Sequence, residues 1–139
     1  MAKHSDKIPK PDPLDRTPLH YAVVDKNEPL VVSLIESGAD INAVDKDGWT
    51  PLHFAAQRQF VGTAELLLDA GAIIDAQDGN GNTPLSNAVF SSHGSGDLIR
   101  ILRRRGANPN VMNKYGVSPI GLAKTIANYN VIQFFNDVT

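Results

Sequence analysis

The sequence predicts an all-α solenoid: helix-turn-helix repeats stacked in a row and joined by β-hairpin-like loops. Three observations predict it. A threonine followed by Pro-Leu stands at Thr17, Thr50 and Thr83, 33 residues apart each time, and a weaker copy, SPIGLA, opens at Ser118. A Gly-Ala step follows each of the three in phase, at Gly38, Gly71 and Gly106. Between each step and the next copy runs a polar stretch rich in Asp, Asn and Gly. A fixed period of this length marks a chain whose units have no core of their own and bury their apolar faces only against neighbours.

Each unit reads as two helices and a turn. Thr17, Thr50, Thr83 and Ser118 suit the N-cap, where a side-chain oxygen accepts a bond from an orphan backbone N–H, and the proline that follows is preset for the first helical position. The apolar set Leu19, Tyr21, Ala22 and Val23, repeated as Leu52, Phe54, Ala55 and Ala56, gives a short first helix with small residues where a neighbour must approach closely. In the second helices, TAELLLDAG and LIRILRRRG, apolar positions run at helical spacing to a glycine, which tolerates the left-handed conformation beyond a helix end. The segments ADINAVDKDGW, AIIDAQDGNGN and ANPNVMNKYGV then turn the chain and are expected to project as fingers. The glycine stops follow their threonines by 21, 21 and 23 residues, so the third copy carries two extra residues, within FSSHGSGD. The units fall at about 12–44, 45–77, 78–112 and 113–139, behind a Pro-rich tail, 1–11, expected to be extended and flexible.

With TPLHYA, TPLHFAA, TPLSNA and SPIGLA in the same order and phase as ESGADINAVD, DAGAIIDAQD and RRGANPNVMN, the chain resembles the ankyrin-repeat family over about residues 12–136. The resemblance implies a unit of two antiparallel helices followed by a β-turn. It also shows departures. The family's glycine between the helices is replaced by Lys26 and Gln59, its signature histidine by Ser86 and Gly121, and its hairpin glycine before Thr17 by Asp15. The outer copies are the more irregular, as units that close a stack tend to be. With no further repeat to cover the second helix of copy four, at least one of Phe134 and Phe135 is expected to turn inward; an exposed apolar end would promote self-association, and a monomer is expected.

Composition narrows the function. A chain of 139 residues, 42% hydrophobic and 20% charged, fits one domain with a sizeable core. Its net charge of −2 offers no general attraction to nucleic acid or to an acidic membrane. The absence of cysteine removes thiolate metal sites and suits a reducing compartment, and neither a signal-peptide core nor the roughly 20 apolar residues of a membrane span is found, so a cytoplasmic protein is expected.

No chemistry is expected. His20 and His53 invite a metal or proton-transfer reading, but residues one repeat apart lie about 10 Å apart in layered helices, against the roughly 2 Å of a Zn–N bond. Each stands third in its helix, where its ring is able to bond a neighbouring turn. DKDG and DGNG hint at calcium loops, yet the register that puts Gly48 or Gly81 at the loop's glycine puts Phe54 or Asn87 where a bidentate glutamate is required. His93 has no carboxylate to orient it, and no phosphate-cradling loop is present. Arg100, Arg103, Arg104 and Arg105 read as a solvated helix end opposing the helix dipole. No catalytic residue, cofactor or metal is assigned.

The resemblance implies instead that another protein is bound at the finger tips and the exposed side of the first helices. Carried over residue by residue, this gives Lys46, Asp47 and Trp49, then Gly79, Asn80 and Asn82, then Lys114, Tyr115 and Val117 at the tips, with Gln57, Arg58, Phe90, Ser91, Thr125 and Ile126 on the helices. Trp49, the single tryptophan, is a large amphipathic ring in a turn and reads as an interface anchor, with Tyr115 as its analogue two copies later. Arg58 offers a planar fork to a partner carboxylate. Binding would itself be the output, as in an inhibitor or immunity-type protein, or in an adaptor. The resemblance also admits a substrate of an asparagine hydroxylase, modified at Asn42 near Leu34 and Asp40, against the simpler expectation that Asn42 bonds its own turn.

Overall fold

In the computed structural model, which describes residues 12–137, the helices come in pairs. α1 (Pro18–Val24) pairs with α2 (Glu28–Glu36), α3 (Pro51–Gln57) with α4 (Val61–Asp69), and α5 (Pro84–Phe90) with α6 (Asp97–Arg104). α7 (Pro119–Thr125) pairs with a 3-10 helix, Val131–Phe135. No strand occurs among the described residues, and no helix among them is long and apolar enough to cross a membrane. The Pro-rich tail lies outside the described residues.

The first helices start where the caps predict. Thr17, Thr50, Thr83 and Ser118 each accept a bond from the backbone N–H three residues on, with proline next in line. In the first two copies the histidine closes a capping box: Nδ1 of His20 accepts the Thr17 N–H at 3.0 Å, and Nδ1 of His53 accepts the Thr50 N–H at 3.1 Å. Since Nδ1 accepts, Nε2 carries the hydrogen, and it donates across the stack: His20 to the Trp49 carbonyl at 2.8 Å, His53 to the Asn82 carbonyl at 2.9 Å. Both rings are fully buried. The histidines join repeats.

Helix ends repeat one device. After α1 the N–H of Lys26 bonds the Val23 carbonyl and that of Asn27 the Ala22 carbonyl; after α3, Gln59 and Phe60 do the same to Ala56 and Ala55. This paired closure needs a left-handed residue, and Lys26 (φ 53°) and Gln59 (φ 60°) occupy the place of the family's glycine at some conformational cost. Gln59 offsets part of it through its side chain, whose Nε2 donates to the Ala88 carbonyl of the next copy at 2.9 Å.

Two helical layers enclose the core. α3 lies between α1 and α5, and α5 between α3 and α7, with α2, α4 and α6 in sequence behind them. Leu19, Val31, Leu52, Leu67, Leu85, Leu98 and Leu102 are buried between the layers. The small Ala22, Ala55, Ala56 and Ala88, also fully buried, allow the first helices their close approach.

The far end departs from expectation twice. Copy four's second element is a 3-10 turn rather than an α-helix; it buries Val131 and Phe135 and lays the Phe134 ring directly on Gly96. The arginine run is only in part a solvated helix end: Arg100, Arg104 and Arg105 are exposed, yet three of the four arginines also hold partners. Arg103 forks onto both carboxylate oxygens of Asp137 at 2.7 Å and bonds the Phe134 carbonyl, Arg100 lies over the Phe134 ring at 4.6 Å, and Arg105 pairs with Asp69 at 2.7 Å. Arg103 also lies over the Phe135 ring at 5.1 Å, and a planar guanidinium is suited to stack on a ring and grip a carboxylate, so Arg100 and Arg103 clamp the closing segment. The loop of copy three that carries the two extra residues also meets copy four: the His93 ring and Gly94 lie against the Tyr129 ring.

Candidate protein-binding face

The fingers are turns locked by one side chain each. In the first, the Asp45 N–H bonds the Trp49 carbonyl at 3.0 Å while Oδ1 of Asp45 accepts the N–H groups of Asp47 and Trp49, both at 2.9 Å. Asp78 treats Asn80 and Asn82 alike, and Asn113 treats Tyr115 and Val117 alike. This register corrects the expected equivalence of Trp49 and Tyr115. The counterparts of Trp49 are Asn82 and Val117; Tyr115 corresponds to Asp47 and Asn80, at the outermost corner.

Adjacent fingers are bonded to each other. Lys46 N–H donates to the Leu14 carbonyl at 2.8 Å, Gly79 to Asp47 at 2.8 Å, and Lys114 to Asn80 at 2.9 Å. Gly48 makes the approach feasible: its φ is +79°, and a Cβ there would come within 2.7 Å of the Gly79 nitrogen. The tips thus form a fixed row.

Seven of the expected residues come together. Trp49, Gln57, Asn82, Phe90, Ser91, Tyr115 and Val117 line one cleft of about 440 Å³. Lys46, Asp47, Arg58 and Asn80 line a wider neighbouring cleft of about 920 Å³, and Trp49 and Gln57 border both. Lys114 and Thr125 line neither, while Ile126 joins Phe90, His93 and Tyr129 in a smaller recess. Phe90 and Tyr115 are each 75% exposed. Trp49 is half-buried, its ring centroid 4.9 Å from that of Phe54 and 5.7 Å from that of His53, so part of its surface serves the scaffold.

Sequence reasoning missed Asn87 and Leu122, which also line the smaller cleft. Both stand directly after the signature-histidine position, where Phe54 stands in copy two, and Asn87 lies one helical turn before Phe90 and Ser91. That periodicity was a usable signal. Arg16, in the wider cleft, lies over the Phe54 ring at 4.7 Å and pairs with Asp45 at 3.6 Å.

Against expectation, the Asn42 side chain does not bond its own turn. Its Nδ2 donates to the Gly71 carbonyl at 3.2 Å and its Oδ1 accepts the Ile73 N–H at 2.8 Å, both in the next copy. Burial holds the imidazole of His53 below its ordinary range, which keeps it a hydrogen-bonding bridge near neutral pH. Among the described residues no three His, Asp or Glu side chains gather where one metal ion would reach them.

The family model described as ankyrin repeats (3 copies) matches residues 19–113, more than half of the chain. No curated protein matches it.

Proposed function

The chain belongs to the ankyrin-repeat family, whose repeats are generally protein–protein interaction modules, and we propose that it is a non-catalytic module that binds one partner protein across the two adjoining clefts. Residues 12–139 are taken as a single domain of four units. The observation that carries the reading is the pairing of Phe90 and Tyr115, each 75% exposed, at one cleft whose walls are fixed by bonded fingers. Exposed aromatic rings beside a pre-formed cleft are the usual anchors of an interface. Trp49, Arg58 and the finger groups Lys46, Asp47, Asn80, Asn82, Lys114 and Val117 complete it, with Gln57 and Ser91 on the helices. The role we favour is that of an inhibitor or immunity-type protein, because the clefts adjoin and offer one face, whereas an adaptor needs two.

Capture from the source lysate tests this, with the full chain immobilised beside a Phe90→Ala/Tyr115→Ala variant. These side chains are exposed, so the variant keeps its fold. A partner held by the parent and lost from the variant supports the reading, and an enzymatic partner should lose activity in the complex. A partner held equally by both moves the site off this face.

A further inference from the structure

We infer that the occupant of this face is an extended acidic segment of the partner bearing one bulky uncharged side chain, which seats between Phe90 and Tyr115 while a neighbouring carboxylate meets Arg58. The inference rests on the binding reading above and specifies its partner.

Charge distinguishes the two clefts. The smaller is lined by no Asp, Glu, Lys, Arg or His. A charged side chain entering it would lose water without gaining a counter-ion, so an apolar one is selected. Its amides point the same way. Asn82 Oδ1 is taken by Asn113 Nδ2 at 2.9 Å, and Asn113 Oδ1 by two finger N–H groups. Asn87 holds only a long 3.5 Å contact to the His53 carbonyl, and the Gln57 side chain has no bond within the described residues. A carboxamide presents both donors and an acceptor, which matches the N–H and C=O of an extended backbone.

The wider cleft is cationic on balance. Arg16 is engaged by Asp45 and Phe54, which leaves Lys46 and Arg58 outside any ion pair of the described residues, against Asp47 alone. This surplus stands out in a chain of net charge −2. A carboxylate complements it, and the guanidinium of Arg58 is suited to take one in two parallel bonds. Because Trp49 and Gln57 border both clefts, one continuous segment reaches from the first to the second.

The single tryptophan makes the test direct. Three capped nine-residue peptides would be titrated into the full chain, followed by Trp49 fluorescence and by the side-chain amide resonances of Gln57 and Asn87. One has a central Phe flanked by Glu, the second replaces Glu by Lys, and the third replaces Phe by Gly. The Glu/Phe peptide should bind at least tenfold more tightly than either other. Arg58→Glu should transfer the advantage to the Lys/Phe peptide, and Phe90→Ser should remove the preference for Phe over Gly, with circular dichroism unchanged in both. Equal binding of the Glu and Lys peptides, or no binding by any up to millimolar concentration, overturns the inference. A lysate partner that still depends on Phe90 and Tyr115 would then leave the binding reading standing, whereas loss of both results would remove both.

Discussion

Nε2 of His53 donates to the carbonyl oxygen of Asn82, 29 residues on, at 2.9 Å, while Nδ1 of the same ring accepts the N–H of Thr50 at 3.1 Å. One buried side chain therefore fixes a helix start and holds the base of the next finger. Both nitrogens are occupied, so a ring in this position is spent on architecture.

The burial of this ring makes stability depend on pH. Burial lowers the pKa of His53 in the folded chain below its ordinary 6.5, so as the pH falls through that value the unfolded chain takes up the proton first. Unfolding free energy should decline from about pH 6.5 downward and stop declining, for this group, below the folded pKa. His53→Ser, which copies Ser86 of the third copy, should be less stable at pH 8 by about 1–3 kcal/mol, because the Asn82 carbonyl loses its donor. It should also have a shallower slope between pH 7 and 5. Urea midpoints at pH 8, 6 and 5 check both statements, and an unchanged slope would sink the assignment.

Gly96 is small because Phe134 lies on it. Its φ of −97° suits any residue, so Gly96→Ala isolates the contact. We expect a loss of about 1–3 kcal/mol from overpacking, with faster hydrogen exchange in 131–135. Adding Phe134→Ala should make the pair non-additive, since the clash then has no partner. Simple additivity would mean that the ring is not seated there.

The two non-glycine residues between helices should respond differently. Lys26→Gly removes left-handed strain and should stabilise the chain by about 0.5–1 kcal/mol after the entropic cost of glycine. Gln59→Gly relieves the same strain but forfeits the bond to Ala88, so its gain should be smaller or absent. Thermal melts of the two variants would show the order, and a larger gain at Gln59 would contradict it.

At the finger tips, Gly48 and Gly116 share a left-handed φ, +79° and +75°, but only at Gly48 does a Cβ meet another backbone. Both alanine variants carry the strain of about 1–2 kcal/mol. Gly48→Ala should cost measurably more, because it also forces the first two fingers apart. Equal costs in chemical denaturation would show that the fingers do not depend on each other.

The helical stack was legible because its signals are local and repeated: a capping threonine, a proline, and a glycine at the helix end recur at 33 residues, or 35 across the insertion, and each acts within a few positions of itself. Most of the smaller cleft followed from that register. Its failures have physical causes. Tyr115 was matched to Trp49 by ring type, whereas the hydrogen bonds of Asn113 place it at the corner. The 3-10 turn and the arginine clamp join residues 31 and 34 positions apart, and a contact such as Arg103 with Asp137 is set by packing rather than by any periodic mark. Asn42 showed a polar residue in a turn, but its partners belong to the following copy.

The row of fingers has the same connector at every joint, a backbone donor from one tip to a backbone acceptor on the tip before it. Since neither end of the connector involves a side chain, the joint constrains the tips only where a Cβ would meet the neighbouring backbone, as at Gly48. A designer who splices a further 33-residue unit into the middle of this chain would find matching plugs and sockets on both sides. The row would lengthen in whole steps of one finger, with the lettering on each tip free to change except at the glycines that admit the neighbouring tip.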